Sequence, residues 1–472
     1  MALDVAHVRK PALAGTWYPG EPGALTRMVD DHLGAADNFA GAPKAIIAPH
    51  AGFVYSGPIA GSAYAALRAR RGEIKRVVML GPCHRVPVRA FGVPTAQAFA
   101  TPLGPVPLDR PSIEALLRHP DVEARDDAHA PEHCLETQLP FLQRLLGEDF
   151  AIVPILVGGV APERCGALLG ELWGGKETLI VISSDLSHFY PYDEAKALDE
   201  AACQAIEALE SEQLRDEQAC GRHSIYGLLD RAQTLDLRAT TLDLRNSGDT
   251  AGRGRRDGVV GYGAIAFEDA ETARLSEAHR RQLLEAAANT IASGLKRGKA
   301  PAVAVESYPW PLRALRATFV TLKVGGRLRG CVGSVKPHQP LVADVSDSAY
   351  KAAFGDRRFE PLEAAELGTA GCEMSLSVSI LSRPRPMVFA DEAEAIAQMR
   401  PGLDGFILRD GKKSGLLLPQ VWEGVADAAS FLKHLKVKAG LPEDHWSDSM
   451  RLYRFGTETF GAPIGADKAD AA

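Results

Sequence analysis

Short apolar runs rich in β-branched residues recur through the first half of the chain, and several end abruptly in polar residues. The run KAIIA at residues 44–48 is followed by Pro49, which has no N–H to donate to a neighbouring strand. Runs of this kind are typical of strands that are buried on both faces of a sheet. The runs that share the pattern are 44–48, 76–80, 151–159, 178–184 and 259–267.

Segments with a helical spacing of apolar residues separate these runs. In one of them, Leu135, Leu139, Leu142 and Leu146 recur on a single helix face. Strands that alternate with helices predict an α/β domain with a mainly parallel sheet. The segments with helical spacing are 23–34, 135–146 and 193–209.

Titratable side chains stand directly after three of the predicted strands. His50 follows the first run, His84 follows the second, and Asp185 and His188 follow the run at 178–184. In a parallel α/β sheet, the ligand site lies beyond the carboxyl ends of the strands. We therefore expect these side chains to face one common crevice.

The pattern changes near residue 269, where a charged stretch poor in β-branched residues leads into a helical spacing. Further along, the segments 319–335 and 371–381 alternate or run apolar as antiparallel strands do. A second domain, of the α+β type, is therefore predicted from about residue 275.

Composition narrows the class of protein without naming a function. The 472 residues suffice for two or three domains, and 46% hydrophobic with 24% charged residues is ordinary for a globular protein. A net charge of -7 gives no reason to expect a nucleic acid or an anionic membrane as a partner, and no apolar run approaches the roughly 20 residues of a bilayer crossing. Seven cysteines without a CxxC spacing, and an N-terminus without a signal-peptide pattern, favour the reducing cytoplasm.

Histidine, cysteine and carboxylate side chains together suit iron, copper or zinc better than magnesium or calcium. A single histidine is more often a surface or core residue than a ligand, but two at strand tips beside an Asp/His pair favour a site. Two histidines with one anionic ligand are the arrangement that non-haem iron oxygenases use. The segments EHCLE and CGRH add four candidates, which are His133, Glu136, Cys220 and His223.

Several of these residues also fit a structural role. Asp185 suits either a pocket or a helix cap, and Glu136 suits either a pocket wall or a first-turn acid stabilised by the helix dipole. His223 suits either a backbone hydrogen bond or acid–base work near neutral pH. Cys83, beside His84, suits either a soft metal ligand or a small packed residue.

Six motifs in a fixed order resemble the Memo (mediator of cell motility) family over about residues 8 to 268. They are ALAGTWYPG, AIIAPHAGFVYSG, LGPCHRVP, EHCLETQLPF, ISSDLSHF and CGRHSI. The resemblance implies a fold similar to the class III extradiol dioxygenases, which are ring-opening non-haem iron enzymes. It implies metal ligands at His50, His84 and Cys220. It also implies a pocket lined by Asp185, His188, His133, Glu136 and His223.

Cys220 departs from the dioxygenases, whose third ligand is a glutamate. A thiolate is softer and favours Cu(I) or a redox role, so the expected metal is iron or copper. Two functions follow from the resemblance. One is a metal-dependent oxidoreductase that acts on a small or aromatic substrate, and the other is a non-catalytic protein that holds metal or a peptide for a partner.

The second half contains the segment RLRGCVGSV, with Cys331 close to Arg329 and flanked by glycines. Nearby arginines lower a thiol pKa, although a small buried cysteine in a strand is the commoner case. Over about residues 276 to 460 the chain resembles the AMMECR family. The matching motifs are LRGCVGS, AFGDRRFEPL, MSLSVSILSRP, GLDGFILRDGKKSGLLLPQV and YRFGTETF.

A Memo-like unit fused to an AMMECR-like unit resembles the bacterial AmmeMemoRadiSam systems. That resemblance implies a radical-SAM protein as a partner. We predict a Memo-like α/β domain at 8–268, a linker at 269–275, an AMMECR-like α+β domain at 276–462 and a disordered tail at 463–472.

Overall fold

The computed structural model describes residues 7–251, 256–367 and 374–464. The chain divides into two units, Met1–Ser276 and Glu277–Ala472. The division therefore falls at the end of the segment that the sequence indicates as a linker, and each unit has sheets of its own.

Strands and helices alternate through most of the first unit. Its strands are β1 (Val8–Arg9), β2 (Ala45–Ala48), β3 (Arg76–Pro82), β4 (Phe91–Val93), β5 (Ala98–Thr101), β6 (Gly104–Pro107), β7 (Val122–Ala124), β8 (Ala151–Val157), β9 (Thr178–Ser183), β10 (His188–Tyr190), β11 (Leu237–Asn246) and β12 (Val259–Asp269). Its helices are α1 (Pro22–Ala35), α2 (Phe53–Ala65), α3 (Arg110–Leu116), α4 (Asp126–His129), α5 (Leu139–Leu146), α6 (Pro162–Leu172), α7 (Tyr192–Glu207) and α8 (Arg222–Leu235).

Parallel strands form the centre of the main sheet, whose strand order is β10-β12-β2-β9-β3-β8-β4-β7, with β11 paired to β12. Neighbours among β2, β9, β3 and β8 run parallel. Ile46 and Ile47 of β2 are fully buried, as is Val181 of β9, which lies opposite Ile46. Burying each such side chain contributes roughly 1.5–3 kcal/mol. This explains why the strands read as continuous apolar runs.

The edges of the sheet differ from the mainly parallel pattern that the sequence predicts. β12 runs antiparallel to both β2 and β11, and β4 runs antiparallel to β8. A parallel neighbour requires a long crossover connection, usually a helix. The segment between β11 and β12 contains no helix in its described residues, so β12 returns beside β11.

The helix predicted at 135–146 forms in two parts. Residues Glu136–Gln138 make a 3-10 turn, and α5 then begins at Leu139. Pro140 lies in the first turn of α5, where its missing N–H has no helical partner to lose.

The second unit is built on two antiparallel sheets. Its strands are β13 (Thr318–Val324), β14 (Arg327–Gly333), β15 (Met374–Leu381), β16 (Arg385–Pro386), β17 (Gly405–Asp410), β18 (Lys413–Leu417), β19 (Arg451–Phe455) and β20 (Thr457–Ile464). Its helices are α9 (Glu277–Arg297), α10 (Trp310–Arg313), α11 (Leu341–Phe354), α12 (Glu392–Ala397) and α13 (Ala428–Lys438). The sheet orders are β14-β13-β15-β20 and β16-β19-β17-β18.

Two of the predicted segment boundaries differ from those in the structure or fall outside the described residues. β20 includes Pro463 and Ile464, which the sequence assigns to the tail, while residues 465–472 lie outside the described residues. The strand predicted at 371–381 corresponds to β15, and its first three positions also lie outside them. Among the helices that the structure describes, none has the length and apolar character of a membrane crossing.

Candidate metal centre

The carboxyl ends of β2, β3 and β9 bring His50, His84 and Asp185 to one edge of the sheet. Because β2 pairs with β9 in parallel, the residues after each strand are neighbours. The His50 backbone N–H donates to Asp185 Oδ1 at 2.7 Å. The His50 and His84 rings meet edge to face, with centroids 5.1 Å apart. The structure therefore brings these side chains together at one edge of the sheet.

The ring of His50 is held in one tautomer by Ser183. The Ser183 hydroxyl donates to the Cys134 carbonyl at 2.6 Å and accepts from Gln138 Nε2 at 2.9 Å. His50 Nδ1 lies 2.9 Å from the same oxygen. A hydroxyl has one hydrogen, so Ser183 accepts from His50 Nδ1–H, and the lone pair of His50 is on Nε2. Burial lowers the pKa of His50 well below its ordinary value, which keeps the ring neutral.

Cys220 reaches this crevice from the segment before α8. Its Sγ lies 3.4 Å from His50 Nε2 and 3.6 Å from the Asp185 carbonyl oxygen. The next residue, Gly221, donates its N–H to Ser184 Oγ at 2.9 Å. A Cβ at Gly221 would lie 2.7 Å from both the Ser183 carbonyl oxygen and Ser184 Cβ, so only glycine permits this close approach. Burial and the Asp185 charge raise the pKa of Cys220 to about 12.

One nitrogen from each of His50 and His84 and the sulfur of Cys220 lie within 4.8 Å of one another. Two imidazoles and a thiol at this separation form a three-ligand set for a transition metal. The His84 side chain is 27% exposed, so this side of the set is open to solvent. Cys83 is not part of the set. Its Sγ lies 3.7 Å from the Val157 carbonyl oxygen, which agrees with a packed residue.

Glu132 is the residue of this site that the sequence argument missed. Its carboxylate is 2% exposed and accepts the His84 backbone N–H at 2.6 Å and His84 Nδ1 at 2.9 Å. It also accepts the N–H groups of His133 and Cys134. Burial alone would raise the pKa of Glu132, but the hydrogen bonds from His133 and His84 outweigh it and lower the pKa strongly. The sequence signal was an acid directly before a candidate histidine.

Asp185 lies in the loop between β9 and β10, and His188 is the first residue of β10. The Asp185 carboxyl is 4% exposed, and burial raises its pKa. His188 Nδ1 lies 2.8 Å from the Leu186 carbonyl oxygen. Because a carbonyl oxygen only accepts hydrogen bonds, Nδ1 carries the hydrogen and the lone pair of the His188 ring is on Nε2. The loop is held from α7 by Asp199, whose Oδ1 accepts the Ser187 N–H at 2.9 Å. Asp185 lies against His50, and His188 is near enough to interact electrostatically with both residues.

His133 forms part of the wall of the crevice. Its ring centroid lies 4.4 Å from that of His84 and 5.4 Å from that of His50. The Trp17 ring lies against His133, with ring centroids 4.5 Å apart and planes inclined by 59°. Trp17 therefore contributes to the wall, while its neighbour Tyr18 is a buried anchor of the N-terminal segment.

Glu136 does not take the pocket position that the resemblance implies. Its two oxygens accept from Arg9 Nη1, the Ala12 and Leu13 N–H groups, and the Tyr18 hydroxyl, all at 2.6–2.9 Å. Four donors occupy both oxygens, and all four belong to the N-terminal segment. Glu136 is therefore an anchor for that segment.

His223 is placed by contacts within its own helix, α8. It lies in the first turn of α8, and its ring meets the Tyr226 ring edge to face at 6.0 Å. Burial and the Arg222 charge lower its pKa, and a hydrogen bond with the Val160 backbone opposes them. The described contacts of His223 are with these residues and do not include the ligand set.

The second unit places Cys331 differently from the sequence expectation. Arg329 forms a two-point pair with Glu366, at 2.7 and 2.8 Å, so its charge is neutralised there. The Cys331 Sγ accepts from Thr321 Oγ1 at 3.3 Å, and its N–H donates to Asp356 Oδ2 at 2.9 Å. The expected activation of the thiol by Arg329 is therefore not supported by these contacts.

Fold and site together define an α/β protein with a His/His/Cys cluster at the carboxyl edge of its sheet, followed by a second α+β unit. Family comparison agrees with this division. Residues 9–266 match the family described as Memo-like protein, and residues 284–460 match AMMECR1. The chain belongs to the Memo-like protein family, with an AMMECR1 domain in its second half.

Relatives of the first half occur in bacteria and archaea. A MEMO1 family protein of Aquifex aeolicus is 38% identical over 271 residues, which cover 55% of this chain and 99% of that protein. A MEMO1 family protein of Ignicoccus hospitalis is 36% identical over 284 residues, which cover 55% of this chain and 98% of that protein. Among solved structures, an uncharacterized protein from Pyrococcus horikoshii is 32% identical, covers 40% of this chain and 93% of its own, and has a TM-score of 0.37.

Proposed function

We propose that the first unit is a non-haem redox metal protein, which holds one iron or copper ion through His50, His84 and Cys220. We propose that it acts on a small or aromatic substrate with dioxygenase-like or related redox chemistry. One observation carries the proposal: the three ligand atoms lie within 4.8 Å of one another although they come from three distant segments. The likeness to class III extradiol dioxygenases is part of the proposal.

The donor set fits these metals. His50 and His84 each commit Nδ1 to a hydrogen-bond partner, which leaves Nε2 of each ring available. Cys220 adds a soft sulfur donor, which favours iron or copper over hard cations such as magnesium. When bound, such an ion would supply one-electron chemistry and Lewis acidity to a substrate oxygen.

The residues around the set supply proton chemistry and positioning. Asp185 is buried, carries a raised pKa and lies 3.9 Å from His50 Nε2, so it can hold a proton near the centre. His188 presents Nε2 as a proton acceptor because its Nδ1–H is bound to Leu186. His133 and Trp17 provide two aromatic rings, with planes inclined by 59°, that a substrate ring can pack against.

A non-catalytic role is the second candidate, and the thiol of Cys220 favours it. In this role the crevice holds metal or a peptide for a partner protein. A thiol donor in place of the dioxygenase glutamate lowers the expectation of ring-cleaving activity. The two candidates share the metal site and differ in whether substrate is consumed.

Oxygen uptake separates the two candidates. Protein loaded anaerobically with Fe(II) or Cu(I) is mixed with aerated buffer and a panel of catechols and simpler phenols. We expect substrate-dependent uptake that Cys220→Ser abolishes and that Asp185→Asn lowers by about 10²–10⁴-fold. Metal binding without oxygen uptake on any substrate would refute the enzymatic function and would favour the non-catalytic role.

We further propose that the chain works with a radical-SAM protein. The support is the fused Memo-like and AMMECR1 arrangement, which resembles the AmmeMemoRadiSam systems. Calorimetric titration of the full chain with the radical-SAM protein of the same organism tests this. A complex is expected, and no heat of binding at about 100 μM, where a Kd near 1 μM would saturate, would refute it.

A further inference from the structure

A buried carboxylate lies beneath the most open ligand of the proposed centre. Glu132 belongs to the loop before the 3-10 turn Glu136–Gln138, and its own carbonyl is fixed by Arg9 Nη2 at 2.6 Å. Its Oε2 accepts the His84 backbone N–H at 2.6 Å, and its Oε1 accepts His84 Nδ1 at 2.9 Å. The Glu132 carboxylate therefore accepts hydrogen bonds from both the backbone and the ring of His84.

Glu132, His84 and His133 also lie close enough together to form a second three-ligand group. The surroundings of the carboxylate argue against that use. Oε1 accepts the N–H groups of His133 and Cys134 at 2.9 and 3.2 Å in addition to His84 Nδ1, and His133 Nδ1 lies 3.1 Å away. Three N–H donors thus face Oε1, and Oε2 already accepts the His84 backbone N–H, so both oxygens are engaged by donors.

The same contacts fix the state of the His84 ring. A neutral imidazole has one N–H, and opposite a carboxylate that accepts only, the facing nitrogen must be the one that carries hydrogen. His84 is therefore protonated on Nδ1 and presents a lone pair at Nε2. Ser183 imposes the same arrangement on His50, so both histidines face the centre through Nε2.

We infer that Glu132 is a positioning residue of the metal centre, which holds His84 in the Nδ1–H tautomer and aims its Nε2 at the ion shared with His50 and Cys220. The inference rests on the proposed metal centre. Carboxylates behind a ligating histidine fix its ring and raise its basicity, and their loss typically lowers metal affinity 10–100-fold. Glu132 acts through His84 and does not itself touch the ion.

Two measurements on the full chain test this inference. The first records ¹⁵N correlation spectra of the metal-free wild type labelled at histidine, with His84→Gln used to assign the His84 signal. The expected spectrum is that of the Nδ1–H tautomer. The second titrates Co(II) and follows the charge-transfer absorption of a cobalt–thiolate bond, which reports Cys220.

The variants separate positioning from folding. Glu132→Gln should keep the cobalt–thiolate absorption, lower the Co(II) affinity about 10–100-fold and increase the Nε2–H population of His84. Glu132→Asp, which retains the charge, should recover part of the affinity. Glu136→Gln is the matched control, since it lies in the same segment and is equally buried but faces Arg9, and it should leave the affinity within about twofold.

Different results would refute the role of Glu132 and the metal centre itself. An unchanged affinity in Glu132→Gln, or a wild-type His84 in the Nε2–H tautomer, would overturn the inference even if the centre binds metal. A second Co(II) ion that disappears in Glu132→Gln would make Glu132 a ligand and would also overturn it. If the wild type shows no cobalt–thiolate absorption, the centre itself is refuted. The tautomer spectrum needs only the wild type and the assignment variant, so it decides the case where Glu132→Gln fails to fold.

Discussion

Replacing Asp199 by Asn is expected to remove a pH dependence from the stability of the first unit. Asp199 lies on α7 with 2% of its surface exposed and accepts the N–H of Ser187, between Asp185 and His188. Burial raises its pKa from 3.8 to about 7, and the charge of Glu200 acts in the same direction. Between these two values, the carboxyl is protonated in the folded protein and ionised in the unfolded chain.

The sign and size of this pH dependence of stability follow from proton linkage. A group whose pKa is raised on folding contributes stability that is fully present below 3.8 and is lost as the pH rises through about 7. The gap of about three pH units sets a maximum near 4 kcal/mol, at roughly 1.4 kcal/mol per unit. Between pH 5 and pH 8 the free energy of unfolding should fall by about 2.5 kcal/mol from this group. Asparagine cannot ionise, so the free energy of unfolding of the Asp199→Asn variant should not show this part of the fall with pH.

Urea unfolding at fixed ionic strength, followed by tryptophan fluorescence from pH 5 to pH 8, measures the difference. Other groups titrate equally in both proteins, so the wild-type loss minus the Asp199→Asn loss isolates the single carboxyl. Asp193→Asn is the control, because Asp193 is on the same helix with a side chain 90% exposed and should follow the wild type. Equal losses in the wild type and Asp199→Asn would show that Asp199 is ionised when folded and would refute the reasoning.

Three further predictions concern other parts of the chain. Glu136→Ala should destabilise the first unit by about 3–5 kcal/mol in urea unfolding, because it leaves Arg9 buried without its carboxylate; an unchanged midpoint would contradict the anchor role. Arg329→Ala should leave the iodoacetamide alkylation rate of Cys331 within about twofold, since the guanidinium is bound to Glu366; a large fall in rate would restore the expectation of an activated thiol. Limited proteolysis should cut first between about residues 268 and 277 and give two stable fragments; fragments that aggregate would mean that the two units share a core.

The strand tips were predictable because the signals are local. A continuous apolar run that meets a proline or a Ser/Asp cluster marks both a buried strand and its end, and this holds for β2, β3 and β9. Topology then brings His50, His84 and Asp185 together, since parallel strands end at the same edge. Cys220 was placed by family resemblance, because nothing local to the segment before α8 indicates its long-range contact.

The segment EHCLE shows where sequence reasoning fails. Its two acids are four residues apart, and the resemblance placed Glu136 in the pocket, whereas Glu132 faces the histidines. In a helix these positions would share a face, but here a loop and a 3-10 turn intervene, so the two side chains point to different partners. For the same kind of reason, the first turn of α8 directs His223 to Tyr226 although it lies only three residues after Cys220.

The proposed metal centre predicts which side chains hold metal. Ligands from three distant segments converge only in the folded state, so metal should stabilise the protein by mass action, by about 2.7 kcal/mol at one hundred times Kd. Cys331→Ser, in the second unit, should retain full metal content, and His133→Ala should retain most of it, because His133 belongs to the wall.

The most direct test is elemental analysis of untagged protein purified anaerobically without chelators, with matched variants at each proposed ligand. The proposed centre predicts one iron or copper ion per wild-type chain. His50→Ala, His84→Ala and Cys220→Ser should lose this ion together with the metal-dependent gain in Tm. Full metal content in the His50 and His84 variants would contradict the proposed centre, because these histidines would then be structural.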